Sequence, residues 1–382
     1  ANAGVEVWLL DLPSDGENVN SLAAKGLERL KDPDMPGLMS EEAEKLIKIG
    51  NTRDHFQELE DCDWIAEAVV ERLDIKQSLY QRLNESCKEA TIITSNTSTI
   101  PISLLTKGMP KKFCERFAIT HFFNPVRFMR LLELVRGEFT RDDVINTLDL
   151  FSETMLGKGV VSCSDTPGFL ANRVGVFAIQ CALHKAFEYK LSPTEADAFF
   201  GRPLGLPKTG VFGLYDLIGI DLMADVVKSL VSILPENDVF HKYSSPIEIM
   251  TDMIANGQTG NKNEKGFYKQ VGDERQVIDL SSGNYGVHER LKTPLLEEAE
   301  KIGISFIIKD TSTYGLYIWD VISETLCYAA SLVPEVTDDL TQIDDAMKLG
   351  YNWVQGPFEL LDEIGIKYFV DRLQADGKDV PE

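Results

Sequence analysis

The chain has 382 residues, a hydrophobic fraction of 43%, a charged fraction of 26% and a formal net charge of -23. It is long enough for two or three cores and ordinary in composition, while its acidity argues against nucleic acid, which asks for a basic surface. No apolar run approaches bilayer length and no signal peptide is visible, so no membrane span is expected. Cys62, Cys87, Cys114, Cys163, Cys181 and Cys327 are scattered without a C-x-x-C pair, which suits reduced thiols in a cytoplasm better than a disulfide framework or a metal site.

Residues 1–164 read as alternating strands and helices. Strands are expected at 5–10, 64–70, 91–94, 117–121, 131–135 and 160–163, with helices such as 74–86 and 141–156 between them. This alternation argues for an α/β, Rossmann-like doubly wound sheet, largely parallel, with helices on both faces. The strand at 5–10 runs into Asp11. In a dinucleotide-binding fold an acid at the end of the second strand accepts hydrogen bonds from the adenosine ribose. Asp15 and Glu17 follow with no nearby arginine, so NAD is favoured over NADP; taken alone, Asp11 reads more readily as a turn former. No Gly-x-Gly-x-x-Gly turn is present. The chain opens at Ala1-Asn2-Ala3-Gly4, directly before what reads as strand two. The first strand and its phosphate-cradling loop are therefore expected to lie before residue 1, and the chain as it stands is expected to bind NAD very weakly or not at all.

Further along, Thr94-Ser95-Asn96-Thr97-Ser98 follows a strand, where open α/β sheets bind ligands. His121-Phe122-Phe123-Asn124-Pro125 ends another strand, and twelve positions later Glu133 interrupts the apolar run Leu131-Leu132-Glu133-Leu134-Val135. A charge flanked by apolar residues needs a partner. An imidazole fits: a carboxylate on one ring nitrogen fixes the tautomer and leaves the other nitrogen as a base. Asn172, in the first turns of the helix expected at 169–189, is placed to offer its amide to a substrate oxygen.

After Thr166-Pro167-Gly168 the chain becomes mostly helical, which sets a domain boundary near Asp165. An internal repeat then appears: residues 210–220 share Gly, Phe, Leu, Asp, Ile, Gly and Ile at the same places with residues 356–366, and a helix precedes each copy (169–189 and 314–332). Two all-α modules are expected, 165–295 with a linker at 272–290, and 296–382.

These segments together resemble the 3-hydroxyacyl-CoA dehydrogenase family. The matching words are Ser95-Asn96-Thr97-Ser98, His121-Phe122-Phe123-Asn124-Pro125, the stretch from Asp165 to Arg173, Gly266-Phe267-Tyr268-Lys269, and Ala68-Val69-Val70-Glu71 with Lys76. The resemblance covers essentially the whole chain. It implies NAD-dependent oxidation of an (S)-3-hydroxyacyl-CoA in fatty-acid β-oxidation. In it His121 acts as base, Glu133 orients the imidazole, and Ser98 and Asn172 bond the reacting oxygen or thioester carbonyl. Asp11, Glu71, Lys76, Ser98, Asn124 and, more weakly, Lys262 line the NAD site. The CoA-contacting residues of the family cannot be matched; Lys25, Arg29 and Lys31 are the local cations that an anionic CoA would meet on an acidic protein. The duplicated module resembles the dehydrogenase part of multifunctional β-oxidation proteins, which implies a fused enoyl-CoA hydratase domain or a thiolase partner, and a homodimer that is allowed but not required. Two alternatives stay open: a dehydrogenase of a non-CoA hydroxy acid on the same fold, and an inactive structural domain of a β-oxidation complex.

Overall fold

The computed structural model describes residues 1–381. The chain divides into two compact units, Ala1–Asp165 and Thr166–Glu382.

In the first unit, β1 (Val7–Asp11) pairs in parallel with β2 (Ile47–Asn51), Asp11 opposite Asn51. A separate five-stranded sheet runs in the order β3 (Trp64–Glu67), β4 (Ile92–Ser95), β5 (Phe117–Phe122), β6 (Leu131–Arg136) and β7 (Gly159–Cys163). Among the described residues β1 pairs only with β2, and β3 only with β4. All pairs in the larger sheet are parallel except β5 with β6. Strand β2 escaped the sequence reading. Strand β3 is shorter than the expected 64–70, because the Glu67 carboxylate captures the Val69 N–H at 2.7 Å and turns the chain out of the ladder.

Strands β5 and β6 are buried on both faces, which is why they read as nearly unbroken apolar runs. On one face, Val144 and Leu148 of the helix Asp142–Thr154 pack on Ala118 and Leu134. Phe117, one residue from Ala118, points to the opposite face. There it meets Tyr80 of the helix Leu73–Ser86 at 5.0 Å between ring centres and Phe113 at 5.5 Å. Each such fully buried side chain contributes on the order of 2 kcal/mol.

In the second unit the long helices Ala171–Glu188 and Thr313–Ser331 lie antiparallel. Phe177 stacks on Tyr328 at 4.2 Å, Tyr189 meets Tyr317 at 6.4 Å, and the Tyr317 hydroxyl donates to the Ala182 carbonyl. The repeat seen in the sequence has a shared geometry. Asp197 accepts the backbone N–H groups of Phe212 and Gly213, at 2.7 and 3.0 Å; Asp344 accepts that of Phe358 at 2.8 Å. The preceding glycines are required by close approach: a Cβ on Gly210 would stand 2.4 Å from the Asp197 Cα, and one on Gly356 would stand 2.2 Å from the Asp344 Cα.

The second unit is not all-α. Residues 272–290, expected as a linker, contribute to a three-stranded antiparallel sheet, β8 (Tyr268–Val271), β9 (Glu274–Ile278) and β10 (Tyr285–Val287). Val271 pairs with Glu274, so Gly272-Asp273 is a two-residue hairpin turn. Most of these strand residues are at least partly solvated, so the apolar alternation that marks a half-buried strand is absent.

Candidate active site

The antiparallel pairing of β5 with β6 sets His121 directly opposite Glu133. Opposite residues project from the same face of a sheet, so twelve positions in sequence become one cross-strand pair. His121 Nδ1 lies 2.6 Å from Glu133 Oε2, with the carboxylate fully buried and the histidine 6% exposed. The other oxygen, Oε1, lies 3.9 Å from the thiol of Cys163 on β7. An ionised carboxylate can only accept, so the proton it meets resides on Nδ1. The Nε2 lone pair is thereby set to take a proton.

One strand away, the loops after β3 and β4 are locked together by a buried polar cluster. Glu67 accepts from Val69 N–H and Lys76 Nζ on one oxygen, at 2.7 and 2.8 Å, and from Tyr80 and Ser95 hydroxyls on the other, at 2.6 and 2.7 Å. Lys76 also stands 3.2 Å from Glu71. Glu71 in turn accepts from the Thr97 hydroxyl, the Ser98 N–H at 3.1 Å and the Thr99 hydroxyl at 3.2 Å. Burial pushes the Glu71 carboxyl up, but the Thr97 hydroxyl and the Lys76 cation outweigh it and hold the group below its usual range. The Asn96 side-chain oxygen accepts the Phe122 N–H at 2.9 Å, tying this loop to the residue after His121.

The structure thus sets Glu71, Lys76 and Ser98 around the carboxyl ends of β3 and β4, and His121 at that of β5, with Glu133 opposite it on the antiparallel β6. Asn124 is exposed three residues past His121. Asp11 sits exposed at the carboxyl end of β1, its side chain accepting the adjacent Leu12 N–H. Arg53, just beyond the paired strand β2, is bound to Asp54 through two hydrogen bonds. Of the three cations proposed for CoA, Lys25 and Arg29 are exposed on one face of the helix Ser21–Arg29, beside Glu28 and Asp32. Lys31 is spoken for: it bridges Glu28 and Glu44 at 3.0 and 2.6 Å. In the second unit, Asn172 lies half-buried in the first turn of its helix, and Lys262 is clasped by the Asp221 carboxylate at 2.6 and 2.7 Å. The sequence reading overlooked Glu67 and Tyr80, and gave Asn96 and Thr97 no role of their own within the 94–98 segment. Glu67 carries the same signal that exposed Glu133, an acid inside a strand.

The residues present fit the two nucleoside ends of NAD. The exposed Asp11 carboxylate at a strand end suits ribose hydroxyls, and the Glu71–Ser98 loop next to His121 offers polar groups at the reacting end. Among the described residues no cluster of three or more candidate ligands could hold a metal ion, and no helix is long and apolar enough to cross a membrane.

Residues 1–166 match the family described as 3-hydroxyacyl-CoA dehydrogenase, NAD binding domain, and residues 168–270 match 3-hydroxyacyl-CoA dehydrogenase, C-terminal domain. The chain is 38% identical over 371 residues to a putative fatty acid oxidation complex trifunctional enzyme of Rickettsia prowazekii, covering 94% of this chain and 50% of the relative. It is 37% identical over 276 residues to a probable 3-hydroxyacyl-CoA dehydrogenase of Deinococcus radiodurans, covering 72% of this chain and 79% of that protein. Among solved structures, 3-hydroxybutyryl-CoA dehydrogenase from Escherichia coli K12 shares the fold with a TM-score of 0.72 at 23% identity, covering 100% of this chain and 92% of the other. The chain spans about half the length of the first curated relatives it matches.

Proposed function

The chain belongs to the 3-hydroxyacyl-CoA dehydrogenase family, and on that premise we propose that its His121–Glu133 pair handles the proton in NAD-dependent oxidation of an (S)-3-hydroxyacyl-CoA to the 3-oxoacyl-CoA. The observation that carries this reading is the 2.6 Å contact between Nδ1 and a fully buried carboxylate. NAD, when bound, supplies the hydride acceptor. His121 takes the hydroxyl proton on Nε2 while Glu133 holds the ring in place and offsets the positive charge that forms on it. In the reverse direction the same nitrogen gives the proton back. Ser98 and Asn172 orient the reacting oxygen or the thioester carbonyl. Asp11, Glu71, Lys76, Asn124 and Lys262 are the proposed NAD contacts, and Lys25 and Arg29 the leading cations for CoA phosphates.

The trifunctional name of one relative and the duplicated helical module support a place in a longer β-oxidation protein, with a fused enoyl-CoA hydratase or a thiolase partner. The second module supports a reduced need for a homodimer. Six cysteines scattered without a C-x-x-C pair support a cytoplasmic setting. The test compares acetoacetyl-CoA with free 3-oxo acids as oxidants of NADH at millimolar concentrations. Turnover of the thioester alone is expected. Equal turnover of the free acids would move the substrate class to non-CoA hydroxy acids, and no turnover of either by a chain that binds NADH would favour a structural role.

A further inference from the structure

The charges behind the Ser98 loop do not cancel. Lys76, with a side chain 1% exposed, is the one cation between Glu67 and Glu71, so the three groups sum to one negative charge. The two carboxylates are not equivalent. Glu67 has a side chain 0% exposed and its two oxygens meet four donors. A buried charge so fully satisfied has no capacity left for a ligand. Glu71 lies farther from Lys76, at 3.2 against 2.8 Å, and its side chain is 39% exposed. The surplus charge is therefore presented to the outside by Glu71. The hydrogen bonds from Thr97, Ser98 and Thr99 fix that carboxylate on the loop that Asn96 joins to the end of β5, next to His121.

We propose that Glu67, not Glu71, is the working counter-ion of Lys76, and that the negative charge thereby left on Glu71 makes the site favour the oxidised, cationic nicotinamide over the reduced, neutral one. This rests on the cofactor reading above. The ring must lie near His121 to exchange hydride with the substrate carbon. Glu71 reaches the end of β4 from the loop after β3, two strands from β5, and neighbouring strands are ~4.8 Å apart. A unit charge at roughly 10 Å and an effective dielectric constant of about 20 distinguishes a cation from a neutral ring on the order of tenfold in affinity. Glu67 is here a positioning residue: it touches no ligand and acts through Lys76.

The experiment measures dissociation constants for NAD+ and NADH by ligand-observed NMR, which reaches millimolar affinities. The readout is the preference for NAD+, the NADH constant divided by the NAD+ constant. Glu71→Gln is expected to lower that preference on the order of tenfold. Glu67→Gln keeps a set of hydrogen bonds that Tyr80 and Ser95 can satisfy by rotating their hydroxyls. It leaves Lys76 to neutralise Glu71, so the preference falls in the same direction although residue 67 is out of the ligand's reach. Lys76→Met removes the cation, and the preference does not fall. The double variant Glu67→Gln/Lys76→Met keeps Glu71 as the one charge and restores the wild-type ratio. A purely structural role for the cluster would weaken both forms alike in every variant, and that result, or a drop with Lys76→Met, overturns the proposal. Equal wild-type affinities for NAD+ and NADH overturn this inference and leave the cofactor reading standing.

Discussion

Replacing Glu133 by glutamine keeps the volume of a fully buried side chain and removes its charge. Two effects follow from the contact at 2.6 Å between Glu133 Oε2 and His121 Nδ1. If the amide nitrogen faces the ring, it donates to Nδ1 and selects the tautomer that carries its proton on Nε2, which cannot act as a base. If the amide oxygen faces the ring, the tautomer survives but no anion offsets the imidazolium formed during proton transfer. Charges about 4 Å apart at an effective dielectric constant near 20 interact by about 4 kcal/mol, which converts to roughly a thousandfold in rate. The first effect alone is worth about 10²–10⁴-fold. Glu133→Gln is therefore expected to lower kcat by about 10²–10³-fold with KM for acetoacetyl-CoA nearly unchanged, followed through nicotinamide absorbance. A loss smaller than about fivefold, or a loss confined to KM, would refute the argument that this carboxylate steers the histidine.

Charge reversal of Lys25 and Arg29 together is expected to raise KM for acyl-CoA several-fold while kcat holds, and Lys31→Glu to have the smaller effect because Lys31 already serves Glu28 and Glu44; unchanged KM in the first variant would end the proposed CoA contact. Gly266→Ala would set a Cβ 1.9 Å from Asp216 Oδ1, the carboxylate that accepts the Phe267 and Tyr268 N–H groups, and should destabilise the second unit by about 2–4 kcal/mol in urea unfolding. Gly286→Ala, with open space around its Cβ, is the control, expected within about 0.5 kcal/mol of wild type. Burial raises the Asp197 carboxyl to about 7, against the pull of Tyr268 and the N–H groups of Phe212, Gly213 and Val211. A carboxyl raised in the folded state contributes stability that is complete below its unfolded value near 4 and is lost as pH rises through about 7. The unfolding free energy of wild type relative to Asp197→Asn should therefore decline across that window by a few kcal/mol at most; a difference that grows with pH contradicts it.

Much of the first unit was legible because its signals are local. Strands β5 and β6 announce themselves as apolar runs, and in each one polar residue, His121 or Glu133, has no business there without a partner. What the sequence did not carry is pairing direction: whether residues 121 and 133 face each other depends on the antiparallel ladder between β5 and β6, a tertiary fact. Glu67 shows the same limit. Its four donors come from residues 69, 76, 80 and 95, so its role becomes visible only once the helix Leu73–Ser86 and strand β4 lie against β3. Lys31 was read as an available cation, but its two ion-pair partners come from the preceding turn and from a helix thirteen positions on. Strands β9 and β10 were read as a linker because their residues are charged or solvated on most sides, leaving no apolar alternation, while their hydrogen-bond ladder has no sequence signature beyond the Gly272-Asp273 turn.

The steering of His121 is open to direct observation without any ligand. Nitrogen-15 NMR of the ring in the neutral state reports which nitrogen carries the proton. With Glu133 as acceptor, the proton belongs on Nδ1 and the Nε2 signal has the position of an unprotonated ring nitrogen. A spectrum with the proton on Nε2 would contradict the assignment of this pair as a proton relay.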